Sequence, residues 1–172
     1  MAPIEVTITK GEKADTIELC RLAGKTARFT FPKKGPIPHD AVHLIVEQEL
    51  AFKRGFWGMV ADGIDPGEIQ EIAKAAGHAS ASRAEVPDPS IIELLQAERL
   101  VECFEADLWG APADGDTFRS VVEAACFASF VPAPNVSDET IFSIRGQIAS
   151  FAKQWTAAAI GKKFDLHYRA PS

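Results

Sequence analysis

An α+β fold is predicted by three stretches of this 172-residue chain. Up to residue 34 apolar and polar residues alternate, as in strands with one buried face. From residue 38 to about 160 apolar residues recur at steps of three and four, as in helices packed by one side. At 163–169 the alternation returns, which predicts a strand that rejoins the first sheet. The expected architecture is an N-terminal three-stranded antiparallel meander, four to five helices and a C-terminal strand. All of it is read as one domain, 1–172, because this length suits a single substantial core.

The elements follow in order. Ile4, Val6 and Ile8 alternate with Glu5, Thr7 and Thr9. Gly11-Glu12-Lys13 makes a turn, Thr16 to Cys20 alternates again, and Ala23-Gly24-Lys25 turns into Ala27 to Phe31. Short strands with tight links form a meander. The loop from Pro32 to Pro38 holds further Gly and Pro and carries the chain into a helix, which proline suits at its first turn. This helix is expected to reach Arg54 and stop at Gly55. Phe56 to Ala61 is a helical turn or a buried loop. Asp65-Pro66-Gly67-Glu68 and Ser90-Ile91-Ile92-Glu93 both read as helix starts with an acid three residues after the cap. Residues 77–89 between them read as a mobile loop. Asp114 or Asp116 opens a helix through Phe130, and Ser137 caps the last one. There Ile141, Ile144, Ile148, Phe151, Trp155 and Ala158 form a narrow seam, read as core-facing, with a homodimer zipper as its alternative.

Composition excludes some function classes. The chain is 47% hydrophobic and 24% charged, with net charge −6. Residues 1–62 carry 9 Lys/Arg and 8 Asp/Glu, so the acidity lies in 63–172. A nucleic-acid binder would need a basic face. No apolar run is long enough to span a membrane, and no signal peptide is visible. Cys20, Cys103 and Cys126 are odd in number and widely spaced, which fits reduced thiols in a cytoplasmic protein.

The candidate site is Pro38-His39-Asp40-Ala41-Val42-His43-Leu44-Ile45-Val46-Glu47. On a helical wheel His39, Asp40, His43, Glu47 and Arg54 share a sector of roughly 100°. Val42, Leu44, Ile45, Val46 and Leu50 fill most of the rest. Histidines at i and i+4 can share one divalent ion such as zinc. Glu47 lies one turn further, and eight residues span about 12 Å of helix. The expected metal set, drawn from His39, His43 and Glu47, is therefore His39 with His43, or His43 with Glu47, plus a ligand from elsewhere. His167, His78 and Asp62 are the outside candidates. Asp40, Arg54 and His167 are candidate ligand-binding groups. In the alternative reading His43 and Glu47 are a hydrogen-bonded pair on an ordinary polar face.

His39-Asp40-Ala41-Val42-His43 is similar to the HExxH helix of zinc peptidases, with Asp40 in place of the glutamate base. The same five residues match the HDxxH opening of a zinc-binding family of coenzyme Q biosynthesis. That family continues with a glycine and a later glutamate where this chain has Glu47 and Met59. Phe31 to Asp40 (FPKKGPIPHD) and Gly55 to Gly58 (GFWG) resemble an uncharacterised bacterial protein family. These resemblances imply a divalent metal, zinc first, and leave the substrate open.

Other residues carry less. Lys33, Lys34 and Gly35 could hold an anion beside the helix start. Phe56, Trp57 and Trp109 are expected in the core, and Cys20 as a small buried residue. Ser80 and Ser82 lack the elbow of a serine hydrolase. Two functions are expected from the whole. One is a binding protein or enzyme built on the histidines, acting on an unknown small molecule or protein by metal-assisted hydrolysis or proton transfer. The other is a non-catalytic interaction or self-associating domain with structural histidines.

Overall fold

The two alternating regions join into one sheet. A computed structural model describes residues 3–21, 24, 26–75 and 87–169. Strands β1 (Ile4–Thr9), β2 (Ala14–Arg21), β3 (Thr26–Pro32) and β4 (Lys163–Tyr168) form an antiparallel sheet in the order β3-β2-β1-β4. Register puts like with like: Val6 lies between Leu19 and Leu166, and Ile8 between Ile17 and Phe164. These side chains share the covered face, while Glu5 and His167 face the other way. Cys20 also falls on that outer face and is exposed, against the expectation of burial. The period of two decides this, since Ile17 and Leu19 already take the inward positions.

The helices are α1 (His39–Glu49), α2 (Phe56–Ala61), α3 (Pro66–Ala75), α4 (Ile92–Trp109), α5 (Gly115–Ala128) and α6 (Asp138–Ala157). None is long and apolar enough to cross a membrane. Helix α1 ends five residues before Arg54, earlier than expected. Phe52 N–H donates to Glu47 O at 3.0 Å and Ala51 N–H to Gln48 O, with Ala51 at φ +53°. This closes the helix with a left-handed residue, here alanine where glycine is usual. Phe52 is thereby turned into the core. Phe130, at φ +57°, ends α5 in the same manner.

The caps are partly as expected. Asp114 accepts from Thr117 N–H at 2.9 Å, Ser137 from Thr140 N–H at 3.1 Å, and Glu68 from Asp65 N–H at 3.2 Å. Ser90 is not a cap. Asp88 accepts from Ser90 N–H at 2.8 Å and starts a 3-10 turn, Pro89–Ile91, ahead of α4. Glu93 reaches instead to the backbone N–H of Arg54. The expected loop 77–89 lies largely outside the described residues, as do His78, Ser80 and Ser82.

The α6 seam from Ile141 to Trp155 is buried in the chain's own core, with Ala158 half-buried at its end. Lys10 Nζ donates to the carbonyls of Trp155 and Ala158 at 2.8 and 2.7 Å, closing that helix where charge favours a cation. Trp57 is wholly buried, but Trp109 is 71% exposed at the end of α4 rather than in the core. The link from sheet to α1 is specific. The Gln48 side chain pairs with both backbone groups of Arg169, and the buried Tyr168 hydroxyl donates to Phe52 O at 2.7 Å.

Candidate metal centre

The first two turns of α1 stack His39 over His43, ring centroids 4.7 Å apart. Helix α4 packs across α1 and brings two carboxylates to them. Glu98 and Glu105 are seven residues apart, so they point the same way two turns along the helix. Glu98 Oε2 is 3.1 Å from His43 Nε2, and Glu98 Oε1 is 3.5 Å from His39 Nε2. The two Nε2 atoms are 3.2 Å apart. His39, His43 and Glu98 each offer one ligand atom to a group lying within 4.8 Å, so they could hold a metal ion.

The remaining ring nitrogens are pinned by other carboxylates. His39 Nδ1 lies 3.0 Å from Glu105, and His43 Nδ1 lies 3.2 Å from Glu47. Glu47 is wholly buried and also accepts from the backbone N–H groups of Phe56, Trp57 and Gly58 at 2.9, 2.8 and 3.3 Å. With three donors already aimed at it, this carboxylate is placed to accept a fourth hydrogen bond from His43 Nδ1–H. In a neutral imidazole that tautomer leaves the lone pair on Nε2. Glu105 does the same for His39. Such carboxylate–histidine pairs orient metal ligands and fix their tautomer. Gly55 is required here, because a Cβ would strike the Glu47 carboxylate.

The electrostatics match this crowding. Burial alone would lower both histidines. Hydrogen bonds to Glu105 and Glu98 raise His39 to about 9, and those to Glu47 and Glu98 raise His43 to about 10. Burial pushes Glu98 up, but the two histidines override it and hold its carboxyl well below the usual range. Asp40 is raised, chiefly by burial. Of the three carboxylates around the two imidazoles Glu47 is already met by three backbone N–H groups, so Glu98 and Glu105 are left calling for two positive charges. Two protons supply them, and so does one divalent ion with both imidazoles neutral.

The group opens on a cavity of about 320 Å³ that Asp40 and Lys34 also line. Lys33 is engaged with Asp15 at 3.2 Å, and Lys34 is exposed. A smaller cavity of about 100 Å³ lies beyond His39, between Glu105 and Trp109.

The structure thus brings His39 and His43 together with Glu98, a residue not among the outside candidates. Glu47 sits behind His43, on the side away from Nε2. Arg54 joins the 3-10 turn ahead of α4 instead, its Nε donating to Ser90 O at 3.1 Å. His167 is exposed on the outer face of β4, and Asp62 is exposed at the end of α2. The sequence held one signal for the missed residues: glutamates seven apart beside the apolar stripe of Leu95, Ala97, Val101 and Phe104. Compared with known proteins, the chain matches no family model, no curated protein and no solved structure.

Proposed function

We propose that this protein binds one divalent metal, zinc first, through His39 Nε2, His43 Nε2 and a Glu98 oxygen, and uses it for metal-assisted hydrolysis. The observation that carries this is the convergence of the three ligand atoms. A tetrahedral centre with bonds of about 2.1 Å has edges of about 3.4 Å. Here the two Nε2 atoms are 3.2 Å apart and each faces its own Glu98 oxygen, Oε2 at 3.1 Å from His43 and Oε1 at 3.5 Å from His39, with one ligand atom from each residue within 4.8 Å of the others. Three protein ligands leave a fourth corner for water or a substrate oxygen, the pattern of catalytic rather than structural zinc. The adjoining cavity supplies room for that substrate. A zinc ion there would lower the pKa of its water toward neutrality and polarise a bound carbonyl.

The test is zinc affinity by competition with a chromophoric chelator. Wild type should bind one zinc per chain. His43→Ala and Glu98→Gln should each weaken it at least a hundredfold, with the fold intact by circular dichroism. Equal, weak binding in all three would end the proposal. Preference for iron(II) over zinc would redirect it toward oxygen chemistry, since two histidines and one carboxylate also serve that metal.

A second reading, self-association, draws on a different observation. Phe127 and Phe142 are more than 80% exposed on α5 and α6. Light scattering across a hundredfold concentration range tests it, and a monomer throughout would remove it.

A further inference from the structure

The cavity beside the histidines has two chemistries. One end is His39, His43 and Glu98. The walls are mainly apolar and come from three different layers, Ile17 and Phe31 of the sheet, Ile69 and Ala73 of α3, and Leu94 of α4, with Gln70 and the Asp15–Lys33 ion pair among them. Its volume is at the small end for ligand sites, room for one small organic molecule rather than a segment of another chain. At its rim stands Lys34, whose charge acts on Asp40 and which has no ion-pair partner among the described residues. The negative charges of Glu47 and Glu105 are directed away, onto N–H groups behind the imidazoles. A divalent ion held by one carboxylate would therefore keep net positive charge at that end of the cavity, where Lys34 offsets Asp40 and Lys33 offsets Asp15.

We infer that the site takes a small carboxylic acid with an apolar body. The acid, as the group hydrolysis releases, takes the fourth corner in place of the water, and its hydrocarbon part lies against Ile17, Phe31 and Ile69. This rests on the metal reading above. Recognition is then divided between two ends of one cavity. The metal and Lys34 select the anionic head, and the walls select apolar bulk by excluding water. Neither end alone is specific. A polar acid lacks the wall contacts, and a neutral apolar molecule leaves the positive end unpartnered.

Calorimetric titration of the full chain, loaded with zinc, separates these terms. The probes are octanoate, acetate and octanamide. Each buried methylene is worth about fourfold in affinity, so octanoate should bind at least a hundredfold more tightly than acetate. It should also bind at least tenfold more tightly than octanamide, which has the same body without the charge. Removing zinc with a chelator should cost octanoate at least tenfold. Lys34→Gln, at an exposed position where folding is not at risk, should weaken octanoate severalfold and leave zinc affinity unchanged. Ala73→Trp should block octanoate while zinc still binds.

The failures are distinct. Zinc binding with no preference for octanoate over acetate overturns the apolar-body assignment and leaves the metal centre standing. Octanamide as good as octanoate, or octanoate indifferent to zinc, overturns the anionic head. No zinc binding at all overturns the metal reading and this inference with it.

Discussion

Helix α4 carries two ionic clusters, and they differ in kind. Near its C-terminus Asp107 meets Arg145 of α6, with Nε donating at 2.8 Å and the guanidinium lying over Phe118 at 5.0 Å. One cation meets one anion, and arginine stays charged at every accessible pH. That pair is complete as it stands. On another face of the same helix, Glu98 and Glu105 meet His39 and His43, with Glu47 behind. Here the cations are conditional, because imidazole is charged only when protonated. The first cluster joins two helices and has no further chemistry. The second also joins two helices, but its charge balance has to be completed by protons or by a metal. On the proposed metal reading, a binding centre differs from a structural ion pair in that incompleteness, more than in its burial.

Removing the carboxylate that organises the second cluster gives the largest expected effect. Glu47→Ala strands three backbone N–H groups and His43 Nδ1 in the core. It should destabilise the protein by about 3–5 kcal/mol, read from urea unfolding. A loss below about 1 kcal/mol would show that α2 can repack without its carboxylate cap, and the two clusters would then be alike in kind.

The next largest effect is the dependence of stability on pH. Both histidines are raised above the unfolded value of 6.5, to about 9 and about 10. Their contribution is complete below about 6.5 and is lost as pH rises through 9 to 10. Glu98 is depressed, so its contribution is present above about 4.5 and lost on acidification. The chelated protein should therefore be most stable near pH 5–6 and weaken on the alkaline side. Zinc substitutes for the two protons and should flatten that limb. At a hundred times its dissociation constant it adds about 2.7 kcal/mol. An identical alkaline decline with and without zinc would detach the metal from the histidines.

The arginine pair should behave otherwise. Asp107→Asn should cost about 1–3 kcal/mol, with the same value at pH 6 and pH 9. The double change Arg145→Met with Asp107→Leu should be close to neutral, since a well-packed apolar pair can replace a completed ion pair. A strongly pH-dependent cost for Asp107→Asn would mean that the two clusters communicate along α4.

What could be read from the sequence follows from the range of each interaction. Alternation and three-to-four steps are local, so the meander, the returning strand and the helical middle were legible, as was the inward seam of α6. The pairing of His43 with Glu47 was legible too, as an i,i+4 contact. The end of α1 was not, because alanine at position 51 gives no sign of a left-handed backbone. Its conformation follows from burying Phe52 and freeing Glu47 to cap α2. Glu98 was hidden for a different reason. Its role depends on how α4 docks on α1, 55 residues away in sequence, and no local pattern encodes that crossing. The outside ligand was sought among His167, His78 and Asp62, whereas the group that the fold brings to the two histidines is Glu98, from a stripe that reads as solvated surface.

His167 is the clearest case of chemistry without placement, and it gives the smallest expected effect. It is a histidine in an alternating strand, directly paired across the sheet with Glu5. The register that turns Leu166 and Tyr168 inward turns it outward. A one-residue slip of β4 would reverse this and bury it. But such a slip would also withdraw the Tyr168 hydroxyl from Phe52 O, leaving a buried acceptor unpaired. His167→Ala should thus change unfolding free energy by less than about 0.5 kcal/mol and leave zinc affinity untouched. A measurable loss of zinc would mean that β4 is shifted by one residue, and that the third ligand has been assigned to the wrong side of the molecule.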